Sequence, residues 1–191
     1  MTDEQAMQSV KAGDLDKAAI LFERYKLRLF NFFLKFCGDE AQSQDMTQNT
    51  FYRMLKYRQS YHEGQPFKAW IYQIARNILK DTYKENQTKM IDLKSARQKH
   101  DTETEPMMQN EREQLLHNAL KKLPDDQREI LILSRFEELK YEEIGQMLGL
   151  SVANVKVKAH RAIQKLREIV MSYELFFTKN NQQLTTNYST I

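Results

Sequence analysis

One cysteine, five glycines and three prolines are spread through 191 residues. The lone thiol, Cys37, leaves no disulfide framework and points to a reducing compartment, the cytosol. It lies in the apolar stretch FNFFLKFCGD and is expected to be a buried small hydrophobe. So little Gly and Pro, with no sustained apolar–polar alternation, argues against hairpins, sandwiches and barrels and for an all-α chain. Long apolar runs are missing too: nothing approaches the ~20 residues of a membrane-spanning helix. The start, MTDEQAMQSV, has neither a positive segment nor an apolar run, so no signal peptide is expected. His62, His100, His117 and His160 fall in different segments, and no cluster has metal-site spacing. A Gly-rich phosphate loop and a nucleophile elbow are also missing. An enzyme, a cofactor and a metal are therefore not expected.

What is present is charge, unevenly placed. A net charge of +3 is too small to predict nucleic-acid binding by itself. Residues 39–52, however, hold Asp39, Glu40 and Asp45 with no Lys or Arg, whereas residues 151–167 hold five basic residues and no acid. Separate acidic and basic faces suggest two kinds of partner, one of them polyanionic.

Apolar periodicity organises the chain into two small helical domains. Leu21, Phe22, Tyr25, Leu29, Phe33 and Phe36 recur at three- and four-residue steps, which predicts one helix over 14–37. Gly38 is a stop signal and Asp39 an N-cap for a second helix to about Arg58, burying Met46, Phe51 and Leu55. A third helix is expected over Phe67–Lys84, completing a three-to-four-helix bundle over residues 1–84. Its sequence opens FKAWIYQIARNILK, which mixes three rings with two lysines, an arginine and an asparagine. From Glu85 to Arg112 the pattern fails, and a flexible linker is expected there. Extended, it would reach at most about 90–100 Å, more than two turns of duplex DNA. A second helical domain follows over 113–171, with Pro124 in a first helical turn and Asp125 and Asp126 at its positive end. Residues 172–191 turn polar and are expected to be a disordered tail.

Within the second domain, YEEIGQMLGLSVANVKVKAHRAIQKL has the layout of a helix-turn-helix. Ile144 and Leu148 line the inner face of the first helix, and Gly145 suits a close helix crossing. Gly149 ends that helix, Ser151 caps the next, and Val155, Ala159, Ala162 and Leu166 form its buried stripe. Asn154, Lys156, Val157, Lys158, His160 and Arg161 are left facing outward. Asn154 and Arg161 can bond base edges in bidentate fashion, Lys156 and Lys158 suit phosphates, and His160 suits either or is simply solvated.

Three blocks, DMTQNTFYRMLK, FKAWIYQIARN and LPDDQREILILSRFEELKYEEIGQMLGLSVANVKVKAHRAIQKL, stand in an order and spacing that resemble the extracytoplasmic-function (group four) class of bacterial RNA polymerase sigma factors. The resemblance implies a subunit that binds core RNA polymerase, reads the promoter −35 element as duplex through Ser151, Asn154, Lys156, Val157, Lys158, His160 and Arg161, and opens the −10 element. For the −10 element it implicates Lys68, Trp70, Tyr72, Gln73, Arg76, Asn77, Lys80, Asp81 and Lys84, with Asn77 at the pocket of a flipped base. Lys68, Arg76, Lys80 and Lys84 offer charge, while Trp70, Tyr72 and Tyr83 offer ring surface. The isoleucines 71, 74 and 78 read as core, and Trp70 reads equally as core or as a wedge in DNA. Asp45, Gln48, Asn49, Thr50 and Phe51 match the segment that docks on the clamp helices of the polymerase largest subunit, and the flap of the second-largest subunit is a further expected partner. An anti-sigma protein or other recruiter is a possible third. Three departures stand out: Asn49 where relatives have Glu, Gln73 where many have Arg, and Glu138 and Lys140 where Gly and Ser are common.

From the residues alone, two other readings stay open. One is a stand-alone helix-turn-helix regulator with an unrelated sensor domain; the other is a polymerase-binding antagonist that never touches DNA.

Overall fold

The computed structural model describes residues 1–96 and 111–187, with side chains described over 1–85 and 114–173. The chain divides into two compact units, Met1–Gln109 and Asn110–Ile191, and among the described residues both are helical without strands.

The first unit begins with a helix the periodicity did not suggest, α1 (Asp3–Lys11). A capping box starts it: Thr2 Oγ1 accepts from Gln5 N at 3.2 Å, and Gln5 Oε1 accepts from Thr2 N at 2.9 Å. Ala6, Met7 and Val10 form its fully buried face. A short 3₁₀ turn, Leu15–Lys17, then leads into α2 (Ala18–Cys37), so the expected single helix from residue 14 is broken at its start. Gly38, with φ +71°, ends α2 as expected. Leu21, Tyr25, Leu29, Phe33 and Phe36 are buried, but Phe22 is 42% exposed and Phe32 takes the expected inner place. Phe22 sits at the edge of the stripe, its ring 4.8 Å from that of Phe51. Cys37 is half-buried, and its thiol donates to the Phe33 carbonyl at 3.2 Å.

Asp39 caps α3 (Glu40–Lys56), its carboxylate accepting from Gln42 N at 2.7 Å. Met46, Phe51 and Met54 face inward, while Leu55 is half-buried. Three buried hydroxyls on the inner face are satisfied by carbonyls one turn back: Ser43 donates to Asp39, Thr47 to Ser43 and Thr50 to Met46.

The next helix, α4, runs Phe67–Ala96, past the expected end at Lys84. Nothing between Phe67 and Ala96 is Gly or Pro, so the apolar pattern lapses at Glu85 without breaking the helix. Of the expected linker 85–112, residues 85–96 are thus helical and residues 97–110 lie outside the described residues.

The second unit holds α5 (Glu111–Lys121), α6 (Asp125–Leu131), α7 (Tyr141–Leu148) and α8 (Val152–Asn187). Pro124 precedes α6 as its N-cap rather than lying inside the first turn. The end of α6 widens into a π-helical turn, Ile132–Phe136. Four consecutive residues there, Ile130 to Leu133, are at most 2% exposed, because α6 packs against α5 and α8 and the π-helical turn packs against α7. After that turn Glu138 takes φ +52°, the one non-glycine with positive φ among the described residues. The helix α8 continues past Ser172, where a disordered tail was expected; residues 188–191 lie outside the described residues.

Candidate nucleic-acid interface

The turn between α7 and α8 is built from backbone constraints. Gly149 adopts φ +68°, and Leu150 N bonds to the Gly145 carbonyl at 2.9 Å. A Cβ on Gly145 would lie 2.7 Å from the Leu150 carbonyl oxygen, so the close approach that requires glycine is to the turn, not to the facing helix. Ser151 Oγ accepts from Asn154 N at 3.3 Å and starts α8. Val155, Ala159 and Ala162 are buried against α7 and α6, and Leu166 is half-buried.

Those constraints fix the opposite face. Ser151, Asn154, Lys156, Val157, His160 and Arg161 are exposed together on the first three turns of α8. Lys158 differs: it is half-buried, and its ammonium is ion-paired with Asp126 at the start of α6. The face that is free of acids within its own helix thus receives one from another helix. The hydrogen bond from Lys158 holds the Asp126 carboxyl below its ordinary value, and its own helix start helps through the Gln127 N–H. Lys158 is not the free phosphate ligand that its place in the sequence suggested.

In the first unit the ring residues of α4 turn inward. Tyr72 is fully buried, edge-on to Phe32 at 5.3 Å, and has no ring surface for a base. Trp70 is 7% exposed and lies 5.2 Å from the Tyr61 ring, which decides its open reading in favour of core. Ile71 and Ile78 are buried as expected, whereas Ile74 is half-buried. Asn77, Lys80, Asp81 and Lys84 are exposed; Lys68, Gln73 and Arg76 are half-buried. Gln73 Nε2 donates to Asn77 Oδ1 at 3.1 Å, orienting the Asn77 amide one turn on. Asp81 accepts from Arg53 of α3 at 3.0 Å. Tyr83 keeps 39% exposure and donates its hydroxyl to the Phe36 carbonyl at 3.3 Å.

Just before α4, the loop 61–66 is anchored by Tyr61, fully buried, whose hydroxyl donates to the Gln65 carbonyl at 2.6 Å. His62, Glu63 and Gly64 stand exposed at its tip, with Gly64 at φ +81°. Sequence reasoning singled out no residue of this tip, because a solvated His-Glu-Gly turn carries no pattern of its own.

The acidic helix divides its five candidates. Asp45 and Gln48 are exposed and Asn49 half-buried, available to a partner surface. Thr50 is fully buried and Phe51 is 7% exposed, so these two hold α3 against its neighbours rather than presenting themselves outward. Among the described residues there is no group of three potential metal ligands, and no helix is long and apolar enough to cross a membrane.

Known proteins match this arrangement in order along the chain. Residues 21–88 match the family described as sigma-70 region 2, and residues 113–166 the family described as sigma-70, region 4. RNA polymerase sigma factor CarQ of Myxococcus xanthus is 30% identical over 176 residues, spanning 88% of this chain and 98% of CarQ. ECF RNA polymerase sigma factor SigM of Bacillus subtilis (strain 168) is 30% identical over 152 residues, spanning 78% and 92%. Among solved structures, the sigma factor RpoE of Bartonella quintana, in its complex with the anti-sigma factor NepR, shares the fold at a TM-score of 0.67. It is 21% identical, with 80% of this chain and 96% of that one covered. A stand-alone regulator does not account for a region-2 match beside the region-4 match, nor does a pure antagonist. The chain belongs to the sigma-70 family as an extracytoplasmic-function sigma factor, a subunit that joins core RNA polymerase and directs promoter-specific initiation.

Proposed function

We propose that the two units divide promoter recognition between them, the second reading the −35 element as duplex and the first opening and reading the −10 element. The observation that carries this is the outer face of α8, where Asn154, Lys156, Val157, His160 and Arg161 are exposed together at the start of a capped helix. A capped helix start with exposed amide, guanidinium and ammonium groups suits the major groove. Arg161 and Asn154 read base edges, Val157 meets a thymine methyl, and Lys156 and Ser151 hold phosphates, with His160 beside them. Lys158 joins them only when phosphate displaces Asp126.

The −10 surface consists of Asn77, Lys80, Lys84 and Tyr83 with Lys68, Gln73, Arg76 and Asp81 around them, together with the tip of the 61–66 loop. Trp70 and Tyr72 shape this surface from beneath. Extruding a base costs a few kcal/mol, and bonds from Asn77 and the loop, with ring surface from Tyr83, offset it. The exposed Asp45 and Gln48, with Asn49, dock on the clamp helices of the polymerase largest subunit, and the second unit docks on the flap of the second-largest. Bond making and breaking belong to the polymerase; this subunit supplies recognition, and it works in the cytoplasm where the polymerase is. RpoE is held by an anti-sigma protein in its solved complex, and the same control applies here.

Footprinting with purified core polymerase tests the division. Protection centred on −35 that is lost in an Asn154→Ala/Arg161→Ala variant, with initiation retained on a template pre-melted at −10, supports it. Protection at −35 that survives the double substitution would refute the role given to α8.

A further inference from the structure

The loop 61–66 enters α4 without a side-chain cap of its own, since Pro66 stands before Phe67 and has no side-chain oxygen to offer. That orphan donor is satisfied from sixty-three residues away: Phe67 N donates to Glu4 Oε1 of α1 at 3.2 Å. A carboxylate there also meets the positive end of the α4 dipole. At the other end of α1, Lys11 Nζ donates to the Tyr61 carbonyl at 2.5 Å, and Gln59 Nε2 donates to the Lys11 carbonyl at 3.0 Å. The helix α1 therefore bonds both ends of the loop, the two attachments being seven positions, about 10 Å of helix, apart. It is fixed in turn to α2, because Asp3 accepts from Arg24 at 2.6 Å and from the Tyr25 hydroxyl at 2.5 Å. Its inner face, Ala6, Met7 and Val10, is sealed in the core. The tip, His62 to Gly64, stays exposed between these attachments.

We propose that α1 is a splint for this loop, and that Glu4 and Lys11 are positioning residues for base capture at the −10 element, a role that rests on the −10 reading above. Neither residue needs to touch DNA. Glu4 sets where α4 begins, and with it the register in which the loop meets the helix that carries Asn77. Lys11 sets where the loop departs from the core. A loop held at one end only would sample several shapes, and an unpaired base would be received by a fraction of them, weakening selection at that position.

The test is initiation by the complete holoenzyme on a promoter chosen from a random library with the wild-type subunit, together with single-base variants of its −10 and −35 elements. In Glu4→Ala/Lys11→Met, discrimination at one or two −10 positions should fall about tenfold, the size of one base-pair preference. Affinity for core polymerase and discrimination at −35 should stay at wild-type level. Lys11→Arg, which keeps the donor, should retain −10 discrimination. Amide exchange over 61–67 in the full chain should rise in the double variant, Phe67 most of all. Unchanged −10 discrimination overturns the inference, as does an equal loss at −10 and −35 with lowered thermal stability, which would make α1 a scaffold only. If the wild-type chain gives no initiation with core polymerase, it is the promoter-opening reading itself that fails.

Discussion

The ammonium of Lys158, on α8, is bonded to the carboxylate of Asp126, on another helix and thirty-two residues earlier. The pair lies at the edge of the recognition face, so a phosphate approaching Lys158 must compete with an acid already in place. If α8 reads duplex as proposed, free subunit should bind it more weakly than the basic helix alone would.

Asp126→Asn should raise affinity for duplex of any sequence by roughly two- to fivefold at low salt, the range of a partly exposed ion pair, and the gain should fade as salt rises. Fluorescence anisotropy with a scrambled duplex measures it. The stability side has a definite sign. The folded-state pKa of Asp126 is lowered, so its contribution is present above the unfolded value and is lost as pH falls through the folded one. With the Asp126 side chain 51% exposed, that contribution is small. Neutral pH leaves it intact.

Arg161→Ala should cost about 1–3 kcal/mol in −35 binding if the guanidinium reads a base edge. Competition between specific and scrambled duplexes separates the roles: an equal loss on both makes Arg161 a phosphate contact.

Tyr72→Ala and Asn77→Ala should part company. The first empties a fully buried ring site and should cost about 3–5 kcal/mol of stability in a thermal melt. Asn77 is exposed, so its alanine variant should melt near wild type yet open promoters poorly. Permanganate reactivity of promoter thymines at wild-type level in Asn77→Ala would remove that residue from base capture.

Glu138→Gly should stabilise the second unit by about 0.5–1 kcal/mol. Its φ of +52° lies in the left-handed region, where a Cβ is strained and glycine is not. A denaturant midpoint that falls on this substitution would show that the Glu138 side chain offsets the strain.

The sequence made some of this legible and hid the rest for identifiable reasons. Glycine at 38 and 149, the caps at Asp39 and Ser151, and the stripe Val155–Ala159–Ala162 act over a few residues, so local patterns revealed them. Tyr72 reads as an available ring, and Trp70 stays open between core and wedge, because an aromatic-basic helix looks alike whether its rings face a core or a ligand; Phe32 and Tyr61 decide the matter, and both come from elsewhere in the chain. The end of α4 was set early at Lys84 because periodicity reports a buried face, not helicity. Helix α1 was missed although Thr2 and Gln5 carried a capping signature, since three small or flexible apolar residues make a weak stripe. The Lys158–Asp126 and Glu4–Phe67 bonds have no local signal at all.

Transcription by bacterial core RNA polymerase with and without the purified chain, over a random promoter library, reaches the heart of the matter. Enrichment of templates sharing two spaced elements, the upstream one sensitive to Arg161 and the downstream one to Asn77, is the expected result. No complex with core enzyme, or initiation without any shared sequence, would contradict it.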